Sequence, residues 1–480
     1  MSTFPPPLPM PDPSTEPGAF GPGSRMGKLI AWVIIAALVS LVVVATQFEA
    51  RPKGASAASA STATGPAAPE GFVGLMGKVL MGSPADQRAS GLSNVRMLAT
   101  GFDDRVRLAI LLAEIQDQAE TLTLLEGLAA EPGVSPDRLA EVQALRALYA
   151  EGTAIDPGSE AGRSLLARHP WFGKLALSRG EPSSALRTQA LEAASRVTGV
   201  LLAATIAGVL LIALSLGLFI TAIVLLATGR LRPHYRHDRA ALEPRGSAYL
   251  EIFALFLVAF LVLQLVVGAL SASVGMVALL AMWLALPVIV WPTVRGHSWA
   301  QTRLALGLHA RGRGIAGVLR ELVLGAAGYL ALLPIVGAGI LCTLMLVALS
   351  GVVRSAMGLP PPEQPTHPIA GMLAQASTAE ILVLISLATV WAPVVEELMF
   401  RGAFYHHLRG RWGTVVSATF VGVIFAAIHP QGLLAIPALA SIGVSLALLR
   451  EWRGSIVPSI AAHAVNNGAI VALLVVLLRA

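Results

Sequence analysis

The residues best suited to chemistry form a small polar cluster within the last hundred positions of the chain. They are Glu396, Glu397, Arg401, His429, His463, Asn466 and Asn467. All lie within or beside long apolar runs, where an isolated polar group is costly and is usually kept for a function. A carboxylate can activate water, while imidazole and amide groups can orient that water or stabilise an oxyanion. These are the groups that hydrolysis of an amide requires.

Glu396 and Glu397 are neighbours on a helix predicted from Trp391 to Arg409, but they face different directions. Glu397 and Arg401 are four residues apart with the acid first, the favoured order for an ion pair on one helix face. Glu396 points about 100° away from that face. The arginine therefore neutralises one carboxylate and leaves the other available as a general base. The alternative is that both glutamates are interface charges at the cytoplasmic end of the helix.

The remaining polar groups are predicted to lie at the same depth. At 1.5 Å per residue, Glu396 lies ~20 Å from Arg409, His429 ~25 Å from Trp412, and His463 and Asn467 ~15 and ~21 Å from Arg453. His463 and Asn467 are four residues apart, so they also share one helix face. A single histidine of this kind is often a satisfied packing residue. Three helices that contribute polar groups to one layer favour a functional site.

The composition determines the fold class. Of the 480 residues, 55% are hydrophobic and only 13% are charged, about half of the roughly 25% in a soluble domain. With a mean hydropathy of +0.71, these values exclude a soluble globular protein, a disordered chain and a nucleic-acid-binding domain. The apolar residues form unbroken runs without alternation, which excludes a β-barrel. The single cysteine, Cys342, excludes an intramolecular disulfide and a thiol metal cluster.

We therefore expect an all-α, polytopic transmembrane helix bundle of about nine spans with an N-terminal extracytoplasmic helical domain. Residues 1–24 are predicted to be a disordered Pro-rich tail, 25–47 a transmembrane anchor, 48–195 a linker and helical domain, and 196–480 a polytopic membrane domain. Its apolar runs cover about 197–228, 248–271, 274–294, 316–350, 379–399, 413–429, 431–449 and 454–478. A cleaved signal peptide is the competing interpretation of the anchor, but the small residues at 55–57 lie well beyond its apolar run.

The more polar segment 71–195 contains clear helix signals. Ser135 and Pro136 are typical of a helix start, and Gly152 is typical of its end. Leucines and a valine recur between them at helical spacing. We expect a small all-α domain that is a candidate for binding a protein partner.

The orientation follows from the basic residues of the short loops. The loops 229–247, 295–313 and 400–412 and the turn at 450–453 are rich in arginine, whereas 351–378 has Arg354 as its only basic residue. The basic loops are therefore assigned to the cytoplasm and residues 50–195 to the outside. These features indicate a multi-pass protein of a bacterial inner membrane, whose partners are the lipid bilayer and a peptide or protein substrate, with no nucleic acid.

The order of three motifs resembles a known family. GluGlu-xxx-Arg at 396–401, Phe-xxx-His at 425–429 and His-xxx-Asn at 463–467 lie on successive hydrophobic segments. This pattern resembles the CAAX prenyl protease and bacteriocin-processing (CPBP) family of intramembrane endopeptidases. The resemblance covers about 375–478 and extends to a protease core at about 248–478 when the preceding apolar helices are included. Some members cleave prenylated CAAX ends, but nothing in this sequence implies prenyl recognition.

The resemblance implies a role for each candidate residue. Glu396 is the general base, Glu397 and Arg401 support it, His429 positions water or binds a metal, and His463 and Asn467 complete the polar wall. The sequence is compatible both with a metal-free site and with a zinc site. Two histidines can hold zinc with Glu396 as the base, but an HExxH signature is absent and asparagine is an uncommon zinc ligand.

Two other functions compete with an endopeptidase. The first is a non-catalytic membrane scaffold or immunity-type protein, although a scaffold has no use for costly intramembrane polar groups. The second is a proton-coupled transporter in which the carboxylates and histidines form a relay. The sequence shows no inverted repeat and no pair of broken helices, which are typical of transporters.

The predicted orientation can be tested by labelling. In a Cys342→Ser background, an engineered cysteine near Ser135 should react with a membrane-impermeant thiol reagent in intact cells whose outer membrane, where there is one, has been permeabilised. A matched cysteine in loop 229–247 should stay protected until the inner membrane is lysed. Equal protection of the two sites would contradict the assignment.

Overall fold

The computed structural model describes residues 25–49, 70–99, 101–115, 117–235, 246–310, 314–359, 369, 372–373 and 376–479. The tail predicted for 1–24, nearly all of the linker at 50–70, and the arginines at 236, 239, 245, 311 and 313 lie outside these residues. Within the described part of the chain all regular secondary structure is helical, which confirms the all-α prediction.

The helices fall into an N-terminal group and a membrane group. The first comprises α1 (Arg25–Glu49), α2 (Gly71–Gly82), α3 (Ala85–Leu98), α4 (Phe102–Glu114), α5 (Gln118–Ala129), α6 (Pro136–Glu151), α7 (Glu160–Arg168) and α8 (Pro170–Leu177). The second begins with α9 (Ala185–Ala227), α10 (Ala248–Val274), a 3₁₀ helix (Gly275–Val290), α11 (Trp291–Val294), α12 (Trp299–Leu306) and α13 (Gly314–Ala356).

The last part of the membrane group carries the motifs. It comprises α14 (Thr378–Ser386), α15 (Ala392–Glu397), α16 (Tyr405–Arg409), α17 (Thr414–Ala427), a 3₁₀ turn (Leu433–Ala435), α18 (Ile436–Arg453) and α19 (Val457–Arg479). Helices α14, α15 and α16 are joined by π-helical turns at Leu387–Trp391 and Leu398–Phe404. Together they form one span, Thr378–Arg409, which we call the motif helix.

Seven helices of the described residues are long and apolar enough to cross a membrane. They are Arg25–Ala45, Ala185–Ala227, Ala248–Leu270, Gly314–Ala356, Thr378–Arg409, Leu433–Arg453 and Val457–Leu477. The chain is therefore a multi-pass membrane protein. The other two predicted spans correspond to the shorter apolar helices Ala278–Val294 and Thr414–Ala427, so a total of nine stays a prediction.

The chain divides into two compact units. The first consists of Met1–Thr46, Ser215–Pro362 and Ser386–Asn466. The second consists of Gln47–Leu214, Glu363–Ile385 and Asn467–Ala480.

The motif helix is central to the core of the first unit. The ring of Phe404 stacks on Phe253 of α10 with centroids 4.3 Å apart, and it meets Trp32 of α1 edge-on at 5.9 Å. Ala31 and Ile35 of α1 are buried in the same apolar cluster. The N-terminal helix therefore packs as part of the bundle, and its retention as an uncleaved anchor stays a prediction.

The basic segments of the first unit meet at one end of its helices. His234 donates its backbone N–H to the carbonyl of Glu451, Arg411 donates to the carbonyl of Gly246, and Ile456 donates to the carbonyl of Gly307. All four segments assigned to the cytoplasm contribute to these contacts. They can therefore lie on one side of the membrane, as the positive-inside rule requires. Which side that is stays a prediction.

Close backbone packing brings α17 and α18 together beside the motif helix. A Cβ atom on Gly422 would lie 2.6 Å from the carbonyl oxygen of Ala440, and one on Gly443 would lie 2.6 Å from the Cα of Gly422. Small residues allow this approach because membrane helices associate chiefly through tight packing. The consequence is that the backbone of Gly443 lies next to the polar residues of the motif helix.

The second unit contains the helical domain predicted for 71–195. Its core includes Leu111 and Leu112 of α4 and Leu145 and Leu148 of α6, all of which are buried. Helix α6 begins at Pro136 as predicted, and it ends before Gly152, whose positive φ of 73° terminates it.

Candidate active site

The motif helix is not the uninterrupted α-helix that the sequence predicts from Trp391 to Arg409. Glu396 and Glu397 end the α-helical segment α15, and Arg401 lies in the π-helical turn that follows. A π turn accommodates an extra residue within one turn, and such turns are frequent at functional sites. Hydrophobic periodicity does not reveal it, because the residues of Leu398–Phe404 are buried all round.

Glu397 and Arg401 form a fully buried ion pair. Arg401 Nη1 donates to Glu397 Oε1 at 2.8 Å, and both side chains are 0% exposed. Arg401 Nη2 donates to the carbonyl of Gly443 at 2.9 Å, and the guanidinium lies over the ring of Phe425, 4.8 Å from its centroid. Three helices thus surround the cation, with a carboxylate, a carbonyl and an aromatic face.

His463 of α19 contacts both glutamates. Its Nδ1 lies 2.9 Å from Glu397 Oε1, so the same carboxylate oxygen is bonded by Arg401 and by His463. Its Nε2 lies 3.9 Å from Glu396 Oε2. The contact with Glu397 is not evident from helix geometry alone, which pairs that residue only with Arg401.

Glu396 is in a different environment from Glu397. Its side chain is 18% exposed, and its Oε2 is buried without a hydrogen-bond partner among the described residues. A buried carboxylate oxygen without a protein partner is expected to bind water. The free Glu396 oxygen and His463 Nε2 face each other across a gap that is too long for a direct hydrogen bond.

The structure gives the Phe-xxx-His motif a physical basis. The carbonyl of Phe425 accepts a hydrogen bond from His429 Nδ1, which fixes the orientation of that imidazole. The Phe425 ring lies 4.3 Å from the ring of His429 and 6.1 Å from that of His463. Phe425 therefore contacts Arg401 and both histidines.

The two asparagines follow His463 on α19. Asn467 lies four residues beyond His463 in a continuous helix. Asn466 Oδ1 accepts a hydrogen bond of 2.7 Å from the hydroxyl of Tyr329 on α13. This link between α13 and the motif-bearing end of the first unit was not predicted, because Tyr329 lies in a long apolar run and no local pattern distinguishes it.

A comparison with protein-family models identifies the segment that carries this site. Residues 378–469 match the model described as type II CAAX prenyl endopeptidase Rce1-like. This segment is an Rce1-like domain. The match covers about a fifth of the chain and includes all seven residues of the polar cluster, and it confirms the resemblance predicted from the motifs. No curated protein and no solved structure matches the chain. The family supports a membrane-embedded protease.

The polar groups of the Rce1-like domain do not form a metal-binding set. No group of three or more His, Cys, Asp or Glu side chains within the described ranges is arranged to hold a metal ion. Nδ1 of His463 is engaged by Glu397, and Nδ1 of His429 is engaged by Phe425. The two Nε2 atoms, the Glu396 carboxylate and Glu397 Oε2 are without such bonds, and they are not arranged as a metal-binding set.

Gly443 and Tyr329 are the residues of this neighbourhood that sequence reasoning missed. Gly443 contributes its backbone carbonyl to Arg401, and a backbone contact leaves no side-chain signal in the sequence. Its small size is a weak signal, since close helix packing requires it.

The burial of the ion pair predicts how its two members respond to mutation. Glu397→Gln leaves Arg401 buried without its counter-charge, and breaking one side of such a pair typically costs about 3–5 kcal/mol, less where water enters. We expect a clear loss of melting temperature in detergent together with loss of activity. Adding Arg401→Met should restore part of the stability but little activity.

Glu151→Gln is the matched control, because Glu151 is exposed in the second unit. It should change neither property. If Glu397→Gln were as stable as the control, Glu397 would have no structural role.

Proposed function

We propose that this chain is an intramembrane endopeptidase of the CAAX protease type, in which Glu396 activates the water that hydrolyses a peptide bond. The observation that carries the proposal is the unequal environment of the adjacent glutamates. Glu397 is fully buried and its Oε1 is bonded to Arg401 and His463, although its Oε2 has no hydrogen-bond partner among the described residues. Glu396 is 18% exposed, has no ion pair with an arginine or lysine in the described residues, and its Oε2 lies 3.9 Å from His463 Nε2. The Rce1-like match supports a protease, and the geometry supports this division of roles.

Glu396 and His463 offer the hydrogen-bond acceptors that a bridging water molecule needs. Nδ1 of His463 faces a carboxylate oxygen, so in the neutral imidazole the proton resides on Nδ1 and Nε2 is an acceptor. His429 has the same arrangement, because its Nδ1 faces the Phe425 carbonyl. A water can therefore donate one proton to Glu396 Oε2 and the other to an imidazole Nε2, which leaves its lone pair directed toward a substrate.

The reaction then proceeds by general-base catalysis. Glu396 accepts a proton as the water oxygen bonds to the peptide carbonyl carbon, and the carbonyl oxygen becomes an oxyanion. The carbon–nitrogen bond then breaks, and the proton held by Glu396 passes to the leaving amine. Asn467, one turn along α19 from His463, is the proposed donor to the oxyanion. Neutral His463 cannot donate from Nε2, so it serves this role only when doubly protonated.

The proposal also covers the opening of the site, the class of substrate and the location of the protein. Glu396 lies 13 residues before the basic end of the motif helix at Arg409. We propose that the site opens toward that end, that this end is cytoplasmic, and that peptides or protein C-termini enter from there. We also propose an inner-membrane location, with 50–195 outside and 71–195 as a module for a protein partner.

Replacement of Glu396 is expected to lower turnover without lowering stability, in contrast to replacement of Glu397. Glu396→Gln is nearly isosteric and removes the base, so peptide turnover should fall by about 10²–10⁴-fold. The melting temperature should stay near that of the parent protein, because Glu396 belongs to no ion pair with an arginine or lysine in the described residues. Turnover of quenched peptides and thermal unfolding in detergent measure the two effects.

A stable, inactive Glu397→Gln beside an active Glu396→Gln would reverse the assignments. If the parent protein and every variant turned over no peptide in a broad library, the proposed protease function would be wrong, and a scaffold or a transporter would be the favoured function.

The proposal includes catalysis without a bound metal. The purified protein should contain far less than one zinc ion per chain by elemental analysis, and a strong chelator should leave turnover unchanged. Zinc bound at one ion per chain and lost together with activity would overturn this part of the proposal. His429→Gln would then be expected to lower the zinc content, which separates a ligand from a residue that only orients water.

A further inference from the structure

A cavity of about 360 Å³ lies in the second unit, where α2, α8 and α9 converge. It is lined by Glu70, Lys78, Pro170, Trp171, Lys174, Gln189, Glu192, Ala193 and Arg196. Three of these residues are cationic and two are acidic. The cavity is unrelated to the catalytic chemistry derived above, and none of its residues belongs to the three motifs.

The acidic and cationic groups of this cavity are not paired with each other. Glu70 Oε1 accepts the backbone N–H groups of Trp171 and Phe172, at 2.7 and 3.2 Å, and so caps the start of α8. Among the described residues, no carboxylate oxygen lies within 4.0 Å of the charged nitrogens of Lys78, Lys174 or Arg196. The three cations therefore face the cavity without direct neutralisation.

Lys78 shows the electrostatic consequence. Its partial burial is the main cause that lowers the pKa of its amino group, and the charges of Arg196 and Lys174 lower it further, while Glu70 acts in the opposite direction. An anion in the cavity would relieve both the desolvation and the repulsion among the cations.

The position of the cavity along α9 indicates which anion is available. Helix α9 continues from Arg196 into a segment whose large apolar side chains are exposed, with Leu202 at 61%, Ile206 at 54% and Leu210 at 66%. At 1.5 Å per residue, Arg196 lies ~9 Å from Leu202 along the axis. The apolar segment requires hydrocarbon around it, so Arg196 lies at the membrane–water interface. Trp171, which also lines the cavity, is of a type enriched at that level.

We propose that this cavity binds the phosphate group of an anionic membrane phospholipid, whose acyl chains lie along the exposed apolar side chains of α9. The guanidinium of Arg196 presents paired N–H donors that match phosphate oxygens, and Lys78 and Lys174 contribute point charges. The lipid bilayer supplies this ligand at the depth where the cations lie. The α2–α8–α9 junction is thereby fixed to the lipid surface at the point where the helical domain meets its span.

The test uses the full chain in mild detergent, with lipid binding measured by native mass spectrometry. Phosphatidylglycerol is titrated in one arm, phosphatidylcholine in a second, and inorganic phosphate is added as a competitor in a third. The double variant Lys174→Gln/Arg196→Gln should bind phosphatidylglycerol about 30-fold more weakly, since each interfacial cation contributes about five-fold. Arg196→Lys keeps the charge and should retain most of the affinity.

Arg146→Gln is the matched control, because Arg146 is an exposed arginine of the same domain that does not line the cavity. Its affinity should stay within about two-fold of the parent. The melting temperature of each variant without lipid verifies that it is folded, and peptide turnover is expected to be unchanged in all of them.

Three results would overturn the proposal. The first is equal phosphatidylglycerol binding by the parent and the folded double variant. The second is equal binding of phosphatidylcholine and phosphatidylglycerol with the same dependence on Arg196, which would remove the requirement for an anionic lipid. The third is displacement of the lipid by millimolar inorganic phosphate, which would make free phosphate the ligand.

Discussion

The buried pair of Glu397 and Arg401 is the interaction on which the rest of the site depends. Two charges removed from water are costly unless further groups satisfy them. Arg401 Nε and Glu397 Oε2 are buried without a hydrogen-bond partner among the described residues, but Arg401 Nη1 and Nη2 and Glu397 Oε1 have partners. Here those partners come from other helices: the Gly443 carbonyl from α18, the Phe425 ring from α17 and the His463 imidazole from α19. The requirement to satisfy one guanidinium and one carboxylate therefore determines where three helices must pack. The glycine contact between Gly422 and Gly443 belongs to the same requirement, because a bulkier residue would displace the carbonyl that Arg401 uses.

The elements and the ion pair could be predicted from the sequence, but their mutual arrangement could not. The spacing of Glu397 and Arg401 is local, so helix geometry is sufficient to pair them, and long apolar runs are sufficient to place most spans. The 3₁₀ helix Gly275–Val290 and the π-helical turn Leu398–Phe404 were not predicted, because residues that are uniformly apolar or buried on all sides give no periodicity that distinguishes these conformations from an α-helix. The bond from His463 to Glu397 and the carbonyl of Gly443 are tertiary contacts, and no local spacing encodes them. For the same reason the cationic cavity between α2, α8 and α9 was not predicted, because its residues come from separate segments of the chain, Glu70 and Lys78 from one and Pro170 to Arg196 from the other.

These contacts show what the three motifs have in common: each contributes a group to the surroundings of the buried ion pair. GluGlu-xxx-Arg supplies one paired and one unpaired carboxylate, and Phe-xxx-His supplies an aromatic face for the arginine together with a carbonyl that orients its own histidine. His-xxx-Asn begins with the imidazole that lies between the two carboxylates. The proposal thus gives each motif one residue that stabilises the buried charge and one residue that acts on water or substrate: Glu396 in the first, His429 in the second and Asn467 in the third. In the second and third motifs the supporting and reacting residues are one helical turn apart and share a helix face. In the first motif that spacing joins the two partners of the ion pair, Glu397 and Arg401, and Glu396 is adjacent to the pair.

The proposed division of roles between Glu396 and Glu397 follows from the cost of leaving Arg401 without a counter-charge. If Glu397 were the base, its protonation during the reaction would remove the counter-charge of Arg401 while that cation remained 0% exposed. The cost of an unpaired buried charge, about 3–5 kcal/mol, would then be added to the activation barrier and would slow the reaction by about 10²- to several-thousand-fold. Protonation of Glu396 leaves the pair intact, because Arg401 keeps Glu397 as its partner. A site with a permanently buried cation therefore needs a second carboxylate whose charge can change, and the adjacent position on the same helix places that carboxylate beside His463 without disturbing the pair.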